Sequence, residues 1–150
     1  MGLPRRAFEA LDEPLLTAIL EGMAEETDPV LTEAWENLLA NSLAEETTEV
    51  RRGFPAIMRR LDPRDARLLE HWAKDATEKT FRVELHTPAP DERDGPTLGN
   101  LTALGLLQPH RRLPTTLGAI DDGAATITGY SISELGWAFL QACRASSRPN

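Results

Sequence analysis

The stretch from Thr97 to Arg112, TLGNLTALGLLQPHRR, describes a helix that has to stop. Leu98, Leu101, Leu104 and the Leu106–Leu107 pair recur at helical spacing, with Asn100, Thr102 and Gln108 as polar interruptions. Gly105 reads as the stop, because glycine enters the left-handed backbone region without a steric penalty. Pro109 forbids continuation, since it has no N–H to give to a helix ladder. The chain beyond must change conformation. Leu113–Gly118 and Thr126–Ser131 read as two strands, with Asp121-Asp122-Gly123 as the turn signal between them and Pro114 at an edge position. A last helix runs through Ser133–Ala145 with Ser133 as its cap. Leu135, Ala138, Phe139, Ala142 and Cys143 share one face of it; Trp137, Gln141 and Arg144 fall on the other.

The residues before this stretch read as helices. Leu15, Leu16, Ile19, Leu20 and Met23 trace a short apolar face that starts at Asp12 or Glu13 and is expected to stop at Gly22. Asp28-Pro29 opens a second helix, because Asp caps and Pro suits a first turn whose N–H groups have no partner. Leu31, Ala34, Trp35, Leu38, Leu39 and Ser42 form its inner face; Glu33, Glu36 and Asn37 form its outer one. After a polar connector at Glu45–Glu49, Phe54, Ile57, Met58 and Leu61 predict a third helix. It must begin near Gly53, so that Pro55 falls in the first turn. Asp62-Pro63 repeats the opening signal ahead of Ala66, Leu68, Leu69, Trp72, Ala73 and Ala76. Phe81, Val83 and Leu85 alternate as a half-buried strand does, and Thr87–Pro96 reads as a loop. Helix, hairpin, helix is the back half of a winged helix. The expected fold is therefore mainly α, with N-terminal helices (1–61) packed on a winged-helix-like region (62–150) that carries a small β-hairpin, together one compact unit. A regular winged helix needs a short second helix near residues 87–96, which this loop does not supply.

Charge is unevenly placed. The net charge of the 150 residues is −8, yet residues 1–50 carry twelve acids against two bases while residues 51–150 carry fourteen bases against twelve acids. The single Cys143 allows no internal disulfide and fits a reducing compartment. Its place on an apolar helical face marks it as core rather than nucleophile. The N-terminus has two arginines but no apolar run behind them, so no signal peptide is expected. No run approaches the roughly 18 apolar residues of a bilayer span. The expectation is a cytoplasmic protein with no membrane contact.

The residues weigh differently on each function class. The shape suggests nucleic acid, but the presumed recognition helix offers Thr97, Asn100, Thr102 and Gln108 and no cation, and the wing tip carries Asp121 and Asp122. Phosphate contacts supply most of the affinity for DNA and need Lys or Arg. Arg111 and Arg112, with His110, stand nearby; Arg51, Arg52, Arg59, Arg60, Arg64 and Arg67 form a larger cluster that Asp62 and Asp65 dilute. DNA binding is therefore the alternative, with Arg111, Arg112, Arg59 and Arg60 as its contacts. Catalysis lacks convergent groups. His71, His86 and His110 have no metal-ligand spacing, and Gly95-Pro96-Thr97-Leu98-Gly99 is no phosphate loop. Glu25-Glu26 and Glu45-Glu46 are neighbours in sequence, and consecutive helical residues do not face one another. No catalytic, cofactor or metal residue is expected. Protein binding is preferred, with Trp137 as the apolar anchor beside Gln141 and Arg144, and the acidic first helices as a second surface suited to a basic partner or another copy of the chain.

The order of these features resembles a known family. The runs LTEAWENLLANSL, FPAIMRRLDPRDARLLEHWA, LGNLTALGLLQPHRRL and YSISELGWAFLQAC are similar to the Abi-alpha (abortive infection alpha) family of bacteria. Its N-L-x-x-L-G-L-I helix matches Asn100, Leu101, Leu104, Gly105 and Leu106. Its closing pattern matches Ser133, Gly136, Phe139, Ala142 and Cys143. Trp35, Leu38, Leu39, Ile57, Leu61, Asp65 and Ala66 match upstream. The resemblance covers about residues 28–145, and only a short region precedes it, so an extra module of relatives is expected to be missing. It implies a bacterial protein connected with phage defence. It carries over no catalytic residues, because the matching positions are leucines and turn glycines that hold a fold.

Overall fold

The structure, a computed structural model, describes residues 12–44, 49–75, 95–112 and 126–145. Six helices and two strands lie among them: α1 (Glu13–Glu25), α2 (Pro29–Leu43), α3 (Phe54–Arg59), α4 (Pro63–Asp75), α5 (Gly95–Ala103), β1 (Leu107–Arg112), β2 (Thr126–Ile132) and α6 (Glu134–Ala142). The fold is mainly α with a small antiparallel pair of strands. The strand expected at Phe81–Leu85, the strand at Leu113–Gly118, the turn at Asp121–Gly123, most of the Thr87–Pro96 loop and most of the Glu45–Glu49 connector lie outside the described residues. Contacts group the chain into two compact units, Met1–Arg67 with Ala138–Asn150, and Leu68–Trp137.

In the first unit α1, α2 and α4 begin at aspartate caps, and α3 begins where Pro55 requires a first turn. Asp12 Oδ1 accepts from Leu15 N (3.3 Å) at the head of α1. Asp28 Oδ1 accepts from Val30 N (2.9 Å) and Leu31 N (3.2 Å) at the head of α2. Gly53 precedes α3, so Pro55 sits in the first turn, where its missing N–H costs nothing. At α4 the cap is reciprocal: Asp62 Oδ1 accepts from Arg64 N (2.8 Å), and Asp65 Oδ2 accepts from Asp62 N (2.9 Å). That reciprocity explains why the charged Asp65 is buried.

Ile19, Leu31, Trp35, Leu38, Phe54, Met58 and Phe139 are buried in this unit. Phe54 and Phe139 meet edge-to-face with ring centroids 5.5 Å apart. That geometry is worth about 0.5–1.5 kcal/mol beyond area burial. Gly22 does not stop α1, which continues to Glu25. Gly22 is instead buried in the last turn of the helix, and a Cβ there would collide with the six-membered ring of Trp35. The glycine serves close helix approach rather than termination.

The second unit is built on the leucine stretch. Leu98, Leu101, Leu104, Leu106 and Leu107 are all buried. Gly95 and Pro96 belong to α5 rather than to a loop. Gly105 adopts φ +78°. Leu106 N donates to Leu101 O (3.0 Å) and Gly105 N to Thr102 O (2.9 Å), the paired bonds of a Schellman ending. This turn uses only Gly105 and Leu106, so the chain is extended by Leu107. A strand therefore runs over Leu107–Arg112, inside the stretch expected to precede the strands. The Leu106–Leu107 pair matches a helical phase in the sequence, whereas Leu107 actually faces across the strands to Ile132, its partner in register. Pro109 lies within β1 opposite Tyr130, tolerable where the strand has one neighbour.

Where β2 hands over to α6 the backbones touch. Ser133 N donates to Leu106 O (3.0 Å). The Ser133 hydroxyl donates to Gly105 O and accepts from Gly136 N (2.9 Å), confirming Ser133 as the cap. A Cβ on Gly136 would strike Leu106 O. The helix ends at Ala142, three residues short of the expected Ala145.

Two glycines separate these effects. Gly22→Ala should lower stability by about 1–3 kcal/mol through overpacking against Trp35. Gly99→Ala, at an exposed position of α5 with open space around it, should raise it by about 0.5–1 kcal/mol through helix propensity. Urea midpoints of the two variants should move in opposite directions.

Candidate functional site

The surface of the first unit is organised by charge. Residues 12–44 carry eight carboxylates and no lysine or arginine. Four arginines from the following stretch engage carboxylates. Arg52 Nε donates to Asp12 Oδ2. Arg59 lies between Glu21 (3.8 Å) and Glu25 (3.5 Å), one helical turn apart on α1. Arg67 pairs with Asp28 (3.8 Å), and Arg51 with Glu49 (3.5 Å). The Arg51–Arg67 cluster is thus largely answered from within the chain. Glu33 and Glu36 stand exposed on α2.

Of the residues proposed for DNA, Arg59 is in these ion pairs, Arg60 is exposed and partnered, and Arg111 is exposed on β1. Arg112 ends β1 opposite Thr126. Gln108 and His110 are exposed on the same strand. Of the proposed protein-contact residues on α6 and just beyond it, Gln141 is exposed while Trp137 and Arg144 are half-buried.

Two asparagines on α2 position the end of α6, a part that the sequence alone does not assign to them. Asn41 Nδ2 donates to Ala142 O (2.7 Å) and Arg144 O (2.9 Å); Asn37 Nδ2 donates to Cys143 O (3.2 Å). Carbonyls at a helix C-terminus have no partner inside the helix, and here three successive ones are met by side chains spaced i, i+4 on α2. Asn41 is accordingly buried, and Asn37, expected on the outer face, is half-buried. The i, i+4 spacing of two asparagines was the available signal; what it lacked was the identity of the acceptors.

The chemistry on offer is modest. Among the described residues no group of three or more His, Cys, Asp or Glu is placed to hold a metal ion, and no helix is long and apolar enough to cross a membrane. Burial pushes the Cys143 thiol up to about 12. The Arg52 hydrogen bond, with a smaller contribution from Leu15 N, holds the Asp12 carboxyl below its ordinary 3.8 against the opposing effect of burial.

Both shifts have measurable consequences. A thiolate is the reactive form of cysteine, so iodoacetamide at pH 8 should label Cys143 far more slowly in the native chain than in urea. A carboxyl lowered on folding adds stability above its unfolded value and loses it as the pH falls through its folded one. The stability gap between the native chain and Arg52→Ala should therefore be open at pH 5–7 and close below about pH 4, as read from urea midpoints at each pH.

Among known proteins, the model of the family described as abortive infection alpha matches residues 3–143, a span that begins upstream of the resemblance read from the motifs. No curated protein and no solved structure matches the chain.

Proposed function

The chain belongs to the abortive infection alpha family, and from that premise we propose that it acts in phage defence as a non-enzymatic, cytoplasmic protein-binding component. The reading is carried by the internal pairing of Arg51, Arg52, Arg59 and Arg67 with carboxylates. Those pairings occupy the cations that a phosphate backbone needs, while Glu33 and Glu36 remain exposed on α2. A surface of that sign suits a basic protein and repels nucleic acid at long range. The Gln141 side of α6, with Trp137 and Arg144, is the second candidate contact, open to another protein or another copy of the chain.

A second reading rests on the exposed Gln108, His110 and Arg111 of β1. It is a winged-helix-like DNA-binding regulator that uses Arg111, Arg112, Arg59 and Arg60. In that case Arg111→Ala with Arg112→Ala weakens DNA binding and flattens its salt slope by about 0.9 for each phosphate no longer neutralised.

Crosslinking and recovery of a tagged chain from phage-infected cells separates the two. The protein-binding reading expects a defined protein partner, lost together with protection in a plaque assay when Glu33→Lys and Glu36→Lys are introduced. Absence of any protein partner, combined with tight, salt-sensitive binding of duplex DNA in a gel shift, overturns it.

A further inference from the structure

Helix α2 is occupied on two of its sides and open on a third. Leu31, Trp35 and Leu38 are buried, and Asn37 and Asn41 hold the carbonyls at the end of α6. The open side carries Glu33, Glu36, Ala40 and Leu43, all of them exposed. Their spacing is i, i+3, i+7 and i+10, which sets them in one row along a helix. Leu39, half-buried, borders the row one turn before Leu43. The row is therefore divided along its length, with two carboxylates in its N-terminal half and an apolar end made by Leu39, Ala40 and Leu43. We propose that this row docks a helical segment of a protein partner, one that lays apolar residues on Leu39 and Leu43 and sets lysines or arginines against Glu33 and Glu36. At about 1.5 Å per residue, the cations of that segment stand about 10–15 Å from its apolar residues.

Three points commit the face to that occupant. Leu43 is 48% exposed, one of the three large apolar side chains left so open among the described residues, and covering it is favourable. Among the described residues no ion pair includes Glu33 or Glu36, whereas Glu21, Glu25 and Asp28 of the same acidic segment each meet an arginine. Residues 12–44 contain no lysine or arginine, so the cation that complements this row comes from another molecule. Finally, a second copy fits badly. Two such rows overlapped antiparallel set carboxylates on leucines, and overlapped in parallel set carboxylates on carboxylates. The inference rests on the protein-binding reading and adds to it the apolar half of the contact and the class of segment that fits.

Photo-crosslinking from the row reports what covers it. Ala40→p-benzoylphenylalanine is placed in the full chain, in phage-infected cells, beside a second chain carrying Gln141→p-benzoylphenylalanine on α6. The expected product at position 40 is a crosslink to a protein segment with apolar residues two to three helical turns from Lys or Arg. That segment, made as a labelled peptide, is then titrated by fluorescence anisotropy. Leu43→Ser should weaken its binding about fivefold, the worth of covering half a leucine. Leu20→Ser, the same change at the other exposed leucine of this unit, should leave binding unchanged. Glu33→Gln with Glu36→Gln should weaken binding and reduce its dependence on salt. A crosslink from position 40 to a second copy, to lipid, to nucleic acid or to a segment without Lys or Arg overturns the proposal, as do equal effects of Leu43→Ser and Leu20→Ser. A protein captured from position 141 and none from position 40 overturns this inference and leaves the protein-binding reading standing; no protein from either position overturns both. Should circular dichroism show Leu43→Ser unfolded, Ala40→Arg, which sets a cation in the middle of the row, must weaken the peptide at least as much, and failure to do so is equally decisive.

Discussion

A close approach of two backbones, Leu106 against Gly136, fixes the arrangement of the second unit. The carbonyl of Leu106 accepts from Ser133 N and occupies the space where a side chain at position 136 would stand. Helix α5 can end just before this point only because Gly105 takes a left-handed conformation. Strand β2 can turn into α6 there only because the Ser133 hydroxyl links Gly105 O to Gly136 N. Two glycines and a serine thus join the end of α5, the start of β1, the end of β2 and the start of α6 through main-chain geometry. The leucines around them supply burial, but the glycines decide which way the chain can run.

The first unit obeys a different rule. Its interior is a packed apolar cluster around Trp35 and Phe54, and its surface is a division of charge between an acidic segment and an arginine-bearing one. The ion pairs across that division are exposed and energetically slight. Their consequence is electrostatic. They answer Arg51, Arg52, Arg59 and Arg67 from within the chain, while Glu33 and Glu36 stand exposed on α2. The same pairs bear on both proposed readings: protein binding would draw on the carboxylates that they leave exposed, and of the arginines that DNA binding would use they engage Arg59.

Buried polar groups mark the limit of what a sequence pattern conveys. Asp65 and Asn41 are both buried, each in step with an apolar residue of its helix, Leu69 and Leu38, where a side chain of that polarity is not expected. Asp65 is held by the local reciprocal cap, a four-residue pattern that the sequence DPRD contains. Asn41 is held by carbonyls about a hundred residues away in the chain, which no local pattern encodes. Gly22 belongs to the second kind. As a lone glycine near the end of a periodic stretch it reads as a stop, and only the ring of Trp35 packed on it gives its actual role.

By itself the sequence determined the starts of α1 to α4, the stop at Gly105, the capping role of Ser133, most of the apolar faces and the family. These are local or periodic properties, set by side-chain chemistry within a few residues. The tertiary structure decided what depends on distant partners. It made Leu107–Arg112 a strand, turned Gly22 from a stop into a contact, and set Asn37 and Asn41 against the end of α6. It also paired Arg52, Arg59 and Arg67 with carboxylates of the acidic segment. A row of arginines in a sequence carries the same formal charge wherever it lies; whether it meets phosphate or carboxylate is settled only when folding brings the acids within 4 Å of it.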